Sequence, residues 1–171
     1  GTVLPSGAGL NHVVWDLQTD PAPTFPGMIL WGVRTMAPKV PPGTYTVRIT
    51  ADGRTQTTQL EVRANPWITD VTVADMQEQY EFGRGIQAKV NEANSAVIAI
   101  RRAKIQLEDR LGQSDDRALA DAGEQLRMNV SDVEASIYQV RNRSNQDPLN
   151  FPIKVNNRLA NLLSMLEQGD G

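Results

Sequence analysis

A seven-residue rhythm of apolar side chains over residues 76–111 constrains this chain more than any other feature. The apolar positions step by four and three residues, as on one face of a helix, and only Lys104 interrupts the series. The series consists of Ile86, Val90, Ala93, Val97, Ile100, Leu107 and Leu111. The stretch is long enough for about ten helical turns, so the pattern predicts one long helix that packs lengthwise against others.

A capping box predicts where this helix begins. Thr72 and Asp75 stand at the spacing at which each side chain can bond the backbone N–H of the other residue. Val71 and Met76 occupy the positions of a hydrophobic staple. The long helix is therefore expected to start directly after Thr72.

Two shorter helices are predicted to follow. Ser114 or Asp115 is placed to cap the second helix, and a break at residues 145–148 separates it from a third, which has Pro152 in its first turn. The apolar stripe of the second helix consists of Leu119, Ala122, Leu126, Val130, Val133, Ile137 and Val140, and that of the third of Val155, Leu159, Leu162 and Leu166. Because short turns make neighbouring helices antiparallel, residues 67–171 are predicted to form an antiparallel three-helix bundle.

A β-hairpin is the clearest signal upstream of the helices. Asp52-Gly53 favours a two-residue type I′ turn, which sets Ala51 opposite Arg54 and Tyr45 opposite Leu60. In that register the apolar residues Tyr45, Val47, Ile49, Leu60 and Val62 all fall on one face. The turn chemistry and the apolar pattern thus predict the same pairing.

Two further strands are predicted at residues 11–17 and 28–31. In the first, Val13, Trp15 and Leu17 alternate with more polar positions and would face a core. Four strands are fewer than the roughly seven of a complete immunoglobulin sandwich. The fold class is therefore expected to be α+β, with a small, incomplete, immunoglobulin-like β module over residues 1–66.

Composition and charge exclude several classes of function. A net charge of −3 and sparse Arg pairs argue against a nucleic-acid-binding surface. The chain has no cysteine, which excludes a disulfide framework and a thiolate metal site, and no apolar run approaches the roughly 20 residues of a membrane span. Residues 1–3, Gly-Thr-Val, lack the features of a signal peptide, so an interior start is expected.

Two motifs carry a resemblance to a known family. GLNHVVWDL at residues 9–17, followed by PPGTYTVR at residues 41–48, resembles the G-x-N-x-v-x-W-D and P-G-x-Y-x-v pattern of immunoglobulin-like modules of the flagellar hook-capping type. The succession of that module, a helical stretch over residues 79–107 and DPLNFPIKVNNRL at residues 147–159 is similar to the C-terminal region of large bacterial sortilin-like or glycosyl-hydrolase-type repeat β-propeller proteins. The resemblance implies an extracytoplasmic location, periplasmic or secreted, and an active or binding surface on the propeller, outside this chain.

No catalytic, cofactor-binding or metal-binding residue is predicted. His12 has no second imidazole, and its neighbour Asp16 makes no ligand cluster. The acidic pairs Glu108-Asp109 and Asp115-Asp116 surround an interhelical turn, where capping explains them better than glycoside hydrolysis. Ser6 and Ser131 lack a histidine partner. The Gly83-x-Gly85 pair follows helical sequence and not a strand, which disfavours a nucleotide loop.

Two functions stay open at this point. The first is a non-catalytic accessory or interaction region that docks on a parent propeller or a protein partner, with self-association expected through uncovered apolar surface such as Ile98 and Ile105. The second is a carbohydrate-binding module that uses Trp15, Trp31 or Trp67, although Trp15 is expected in the core. Trp67, Tyr80, Gly83 and Gly85 are expected to fasten the helices to the sheet.

Overall fold

The computed structural model describes residues 6–168 as a mixed α+β protein with one two-stranded antiparallel sheet and three α-helices. The elements are β1 (Gly43–Ala51), β2 (Arg54–Val62), α1 (Val73–Leu111), α2 (Arg117–Ile137) and α3 (Val155–Gln168), with a 3-10 turn at Asp147–Leu149. Residues 1–3, for which an interior start was predicted, lie outside the described part.

The predicted hairpin is confirmed in its register and its turn. Ala51 pairs with Arg54 and Tyr45 with Leu60. Asp52 and Gly53 have φ angles of 49° and 73°, both left-handed as a type I′ turn requires. In the described chain no Cα of this sheet lies within 8 Å of a Cα of any helix. The hairpin therefore makes no close backbone contact with the helices, although its Tyr45 lies near enough to Tyr80 of α1 to interact with it electrostatically. Its apolar face stays partly exposed, with Leu60 at 41%.

The capping box at the start of α1 is confirmed as well. Thr72 Oγ1 accepts from the Asp75 N–H at 3.2 Å, and the Thr72 N–H donates to Asp75 Oδ2 at 2.8 Å. The helix continues for 39 residues, or about 58 Å, as one uninterrupted element. It is the element on which the other two helices pack.

Helix α2 covers the C-terminal half of α1. Gly123 lies against Leu111, so closely that a Cβ at Gly123 would meet the Leu111 side chain at 2.6 Å. Further along, Glu134 reaches Arg101 and Lys104. Residue numbers rise along α2 while they fall along α1, so the two helices are antiparallel.

Helix α3 covers the N-terminal half of α1 and is also antiparallel to it. Asn156 donates to Asn94 near the middle of α1, and Leu166 lies beside Gly83 near its start. Helices α2 and α3 thus follow one another along α1 and contact each other only slightly. A bundle in which each helix packs on both others is not confirmed.

The strands predicted at residues 11–17 and 28–31 do not form. Leu17 has a φ of 64°, and the only pairing in this region is a single bridge between Gln18 and Lys39. Pro21, Pro23 and Pro26 have no N–H to give to a ladder. Residues 18–42, called the strap below, instead run as an extended chain over the helices.

The core lies where the tip of the strap meets the middle of α1 and the end of α2. Phe25, Val97 and Tyr138 form its centre. The rings of Phe25 and Tyr138 meet edge to face, with centroids 5.0 Å apart. Met28, Ile98, Ile137 and Val140 pack around this centre. A residue of each of these three regions is therefore needed to complete the core.

The details predicted for α2 and α3 need correction. Asp116 caps α2, and neither Ser114 nor Asp115 does, because the Asp116 carboxylate accepts from the N–H groups of the first turn. The helix ends at Ile137, well before the predicted break, because Tyr138 turns into an extended conformation toward the strap. In α3 the buried residues are Asn156, Asn157, Ala160 and Leu163, whereas Val155 and Leu162 of the predicted stripe are exposed.

Candidate functional site

Three side chains of α1, spaced seven residues apart, hold the outgoing half of the strap. Each donates a hydrogen bond to a backbone carbonyl, and the three carbonyls are spaced three residues apart. The pairs are Gln87 Nε2 to Asp20 O at 2.8 Å, Asn94 Nδ2 to Pro23 O at 2.8 Å and Arg101 Nη1 to Pro26 O at 3.0 Å. We call this set the donor ladder.

The donor ladder fits because two repeat lengths nearly coincide. Seven helical residues advance about 10.5 Å, and three residues of polyproline-type chain advance about 9.3 Å. Pro23 and Pro26 have a carbonyl but no N–H, so a helix face of donors satisfies their backbone fully. The buried residues Ala22 and Phe25 share the three-residue spacing and fill the space between donors. The strap is thus held along α1 by hydrogen bonds from helix side chains to its backbone carbonyls.

Beyond Phe25 the strap turns and runs back over α3. Gly27, at φ 73°, supplies the left-handed residue of the turn that the Met28 N–H closes onto Phe25 O at 3.1 Å. The Tyr138 hydroxyl donates to Gly27 O and accepts from the Ile29 N–H, each at 3.0 Å. The end of α2 therefore fixes the turn.

The side-chain amide of Asn157 fixes the backbone of Trp31 from both sides. Its Oδ1 accepts from the Trp31 N–H at 2.7 Å, and its Nδ2 donates to Trp31 O at 3.3 Å. Asn157 is 3% exposed, so this contact is shielded from water. Trp31 is consequently held in place although 36% of its own surface is exposed.

The returning strap and residues 145–146 border an open cleft, called here the Trp31 cleft. Its volume is about 780 Å³, within the range of about 300–1,000 Å³ typical of ligand sites. Met28, Leu30 and Trp31 contribute apolar surface, while Thr24, Asn145 and Gln146 contribute polar surface. Its lining contains no carboxylate, so it lacks the acid pair that glycoside hydrolysis requires.

The polar side chains of the Trp31 cleft are free to bind a ligand. Within the described residues, the side chains that make no hydrogen bond to protein include Thr24, Arg34, Thr35, Asn145, Gln146 and Ser164. Arg34 is the single charged residue of the lining, and it forms no ion pair there. The cleft therefore combines an indole on a hydrogen-bonded backbone with side-chain donors and acceptors that are unengaged within the described residues.

A buried carboxylate joins α1 to α2 next to the core. Glu134 accepts from Arg101 Nε at 2.8 Å and from Lys104 Nζ at 2.6 Å, and its side chain is only 6% exposed. Burial raises the pKa of Glu134, but the hydrogen bonds and charges of Lys104 and Arg101 outweigh it and hold that pKa below its usual value. Arg101 also lies over the Phe25 ring, 4.5 Å from its centroid.

Apolar side chains of two helices remain exposed beyond the tip of the strap. They are Ile105 of α1, 66% exposed, and Leu119, Leu126 and Val133 of α2, each about half exposed. Ile105 follows the core residue Ile98 by seven positions, and Val133 precedes Ile137 by four, so they share helix faces with residues that the strap's tip covers. We call this continuation the distal face.

The other candidates of the sequence do not converge on a site. His12 is exposed, and Asp116 is used as a helix cap. Trp15 packs edge-on against Tyr45 and donates to Gln18 O at 2.7 Å, so it lies against the hairpin and not in the main core. Trp67 is 89% exposed and does not seal sheet against helix.

Of the two glycines in the predicted junction, Gly83 makes a close approach and Gly85 does not. A Cβ at Gly83 would lie 2.9 Å from Pro38 of the strap, whereas nothing lies within 4 Å of that position on Gly85. The close approach that Gly83 permits is to the strap, not to the sheet. Trp67 and Gly85 take no part in it.

Neither a metal-ion site nor a membrane-spanning helix is found in the described residues. Over residues 6–168, no group of three or more His, Cys, Asp or Glu side chains is arranged to hold a metal ion. No helix in that range is long and apolar enough to cross a membrane.

Comparison with known proteins returned no family model, no curated protein and no solved structure that matches this chain.

Neither the donor ladder nor the Trp31 cleft was predicted from the sequence. The signal for the ladder was present: Gln87, Asn94 and Arg101 keep a strict seven-residue spacing beside the apolar series, and prolines recur in residues 21–26. The cleft had no comparable signal, because its lining comes from the strap, from a loop over a hundred residues further along the chain and from Ser164 of α3.

Proposed function

We propose that this chain is a non-catalytic interaction region of a larger bacterial, exported β-propeller protein, and that the distal face docks on an apolar helix surface of a protein partner. The observation that carries this proposal is the set of Leu119, Leu126 and Val133, spaced seven residues apart on α2 and each about half exposed. Single exposed apolar residues are ordinary, but several on the same face of one helix are typical of an interface.

The proposal keeps two finer features of the fold expected from the sequence. The half-exposed apolar face of the hairpin supports an immunoglobulin-like module, because further strands would cover Ile49 and Leu60. The distal face supports a larger helical bundle, because a further helix would cover it. The extracytoplasmic location rests on the family resemblance alone.

Sedimentation velocity over a concentration series tests the docking surface, with a second copy of the chain as the available apolar partner. The wild type should self-associate at high concentration, and Leu126→Lys should shift it to monomer because a charge in an apolar interface is costly. Gln125→Lys is the matched control, since Gln125 is exposed on the same helix and outside this set. A wild type that stays monomeric, or equal effects of both variants, would contradict the proposal.

A second candidate function is carbohydrate binding, and the Trp31 cleft favours it. Sugar rings stack on exposed indoles, and their hydroxyls need the uncharged donors and acceptors that Asn145 and Gln146 provide. The two candidates use separate surfaces. Trp31→Ala should remove sugar binding and leave self-association unchanged, while Leu126→Lys should do the reverse.

A further inference from the structure

The charge of the residues that line the Trp31 cleft indicates which class of ligand the cleft favours. Arg34 gives the lining one positive charge and no negative one, on a chain whose net charge is −3. A guanidinium without a partner is a ready receptor for a carboxylate, which it binds through two parallel N–H donors. A neutral ligand would leave this group unused, and a cationic one would be repelled.

The backbone that carries Trp31 is held by hydrogen bonds before any ligand arrives. Asn157 holds the Trp31 backbone at both its N–H and its carbonyl, and Tyr138 holds the turn that leads to it. Gly32, with φ 70°, turns the chain directly after the indole. A ligand that stacks on Trp31 therefore has little ordering to impose on the backbone, which favours affinity.

We propose that the Trp31 cleft binds a carboxylated pyranose, with the sugar ring stacked on the Trp31 indole and the carboxylate on the Arg34 guanidinium. Asn145, Gln146 and Thr35 provide hydrogen bonds for the ring hydroxyls. The proposal rests on the second candidate function and names its ligand class. Without a carboxylate in the cleft, the site binds this sugar and does not hydrolyse it.

Isothermal titration calorimetry with trigalacturonate tests this assignment, and its fully methyl-esterified form serves as the uncharged match. The wild type should bind the acid about tenfold more tightly than the ester. Arg34→Gln should remove that preference and leave both ligands at the weaker affinity. Arg48→Gln changes the net charge equally on the exposed hairpin, outside the cleft, and should leave the preference intact.

Three results would overturn the assignment. These are no heat of binding with either ligand at millimolar concentration, equal affinity for acid and ester, or an equal loss with Arg48→Gln and Arg34→Gln. Trp31→Ala, with its fold checked by thermal melting, tests sugar binding separately from the preference for an acidic sugar. If it abolishes binding while Arg34→Gln has no effect, the cleft binds sugars without acidic specificity; self-association of the distal face is measured independently of either outcome.

Discussion

At the scale of single residues, the polar side chains buried along α1 matter as much as its apolar ones. Asn94 has no exposed surface, yet it satisfies groups on both sides: it donates to Pro23 O and accepts from Asn156 Nδ2 at 3.2 Å. An apolar residue of similar size would fill the space but leave Pro23 O and the buried Asn156 amide without this partner. Asn94 is thus the central link between strap, α1 and α3.

Replacing Asn94 by Leu should therefore lower the free energy of unfolding by about 1–3 kcal/mol. Urea denaturation followed by circular dichroism measures this loss. Ser95→Leu, at the exposed neighbouring position, is the control and should stay within about 0.5 kcal/mol of wild type. An Asn94→Leu variant as stable as the control would show that the amide is dispensable.

The two glycines of α1 make a matched pair at this scale. Gly85→Ala should stabilise the protein by about 0.5–1 kcal/mol, because Ala favours helix and the added methyl meets nothing within 4 Å. Gly83→Ala gains the same propensity but pushes its methyl to 2.9 Å from Pro38, so it should be clearly less stable than Gly85→Ala. Equal shifts in melting temperature for the two variants would contradict the close contact between Gly83 and Pro38 of the strap.

At the scale of elements, local patterns predicted those features that are themselves local. The type I′ hairpin and the Thr72 cap each depend on residues a few positions apart, and both form as predicted. The strap could not be predicted in this way, since its carbonyls bond side chains that are roughly seventy residues away. The alternation in residues 11–17 favoured a strand, but no neighbouring strand in the described chain pairs with it.

The buried residues of α2 and α3 were predicted incorrectly for a related reason. A stripe shows which side of a helix is apolar, but which part is covered depends on the partner. Leu126 and Val133 lie on the predicted stripe and remain exposed beyond the strap's tip, while Asn156 and Asn157 are buried because they bond α1 and the strap. The Trp31 cleft arises from the same long-range packing.

The Glu134 bridge between α1 and α2 predicts how stability depends on pH. Its folded-state pKa lies below its usual value, so the stability it contributes is complete above the unfolded pKa of about 4.3 and is lost as pH falls through the lower, folded value. In that window the unfolded state binds more protons, and acid favours unfolding.

Urea unfolding of Glu134→Gln and wild type at about pH 7 and about pH 3 measures this contribution. The variant should be less stable at neutral pH, because Arg101 and Lys104 lose their anion, and it should lose less stability on acidification. Asp75, Glu124 and Asp147, whose pKa values are also lowered, remain in both proteins and contribute to the shared part of the pH dependence. An identical acid loss in both proteins would exclude Glu134 as a source.

At the scale of the whole molecule, the strap is what joins the N-terminal part of the chain to the helices. Trp67 is exposed and does not seal the predicted junction, yet residues 18–42 contribute Phe25 to the core and Trp31 to the cleft. The hairpin that follows the strap makes no close backbone contact with the helices, and its Tyr45 interacts electrostatically with Tyr80 of α1. A domain division at residue 66 stays a prediction, but the strap packs as part of the helical unit.

Hydrogen exchange tests this central claim most directly, because two strap amides depend on helix-borne side chains. The Ile29 N–H donates to the Tyr138 hydroxyl and the Trp31 N–H to Asn157 Oδ1. If the strap is integral to the core, both amides should open only with global unfolding, within about 1 kcal/mol of the Val97 amide in α1. Opening free energies near zero at Ile29 and Trp31, beside a protected Val97, would contradict the account.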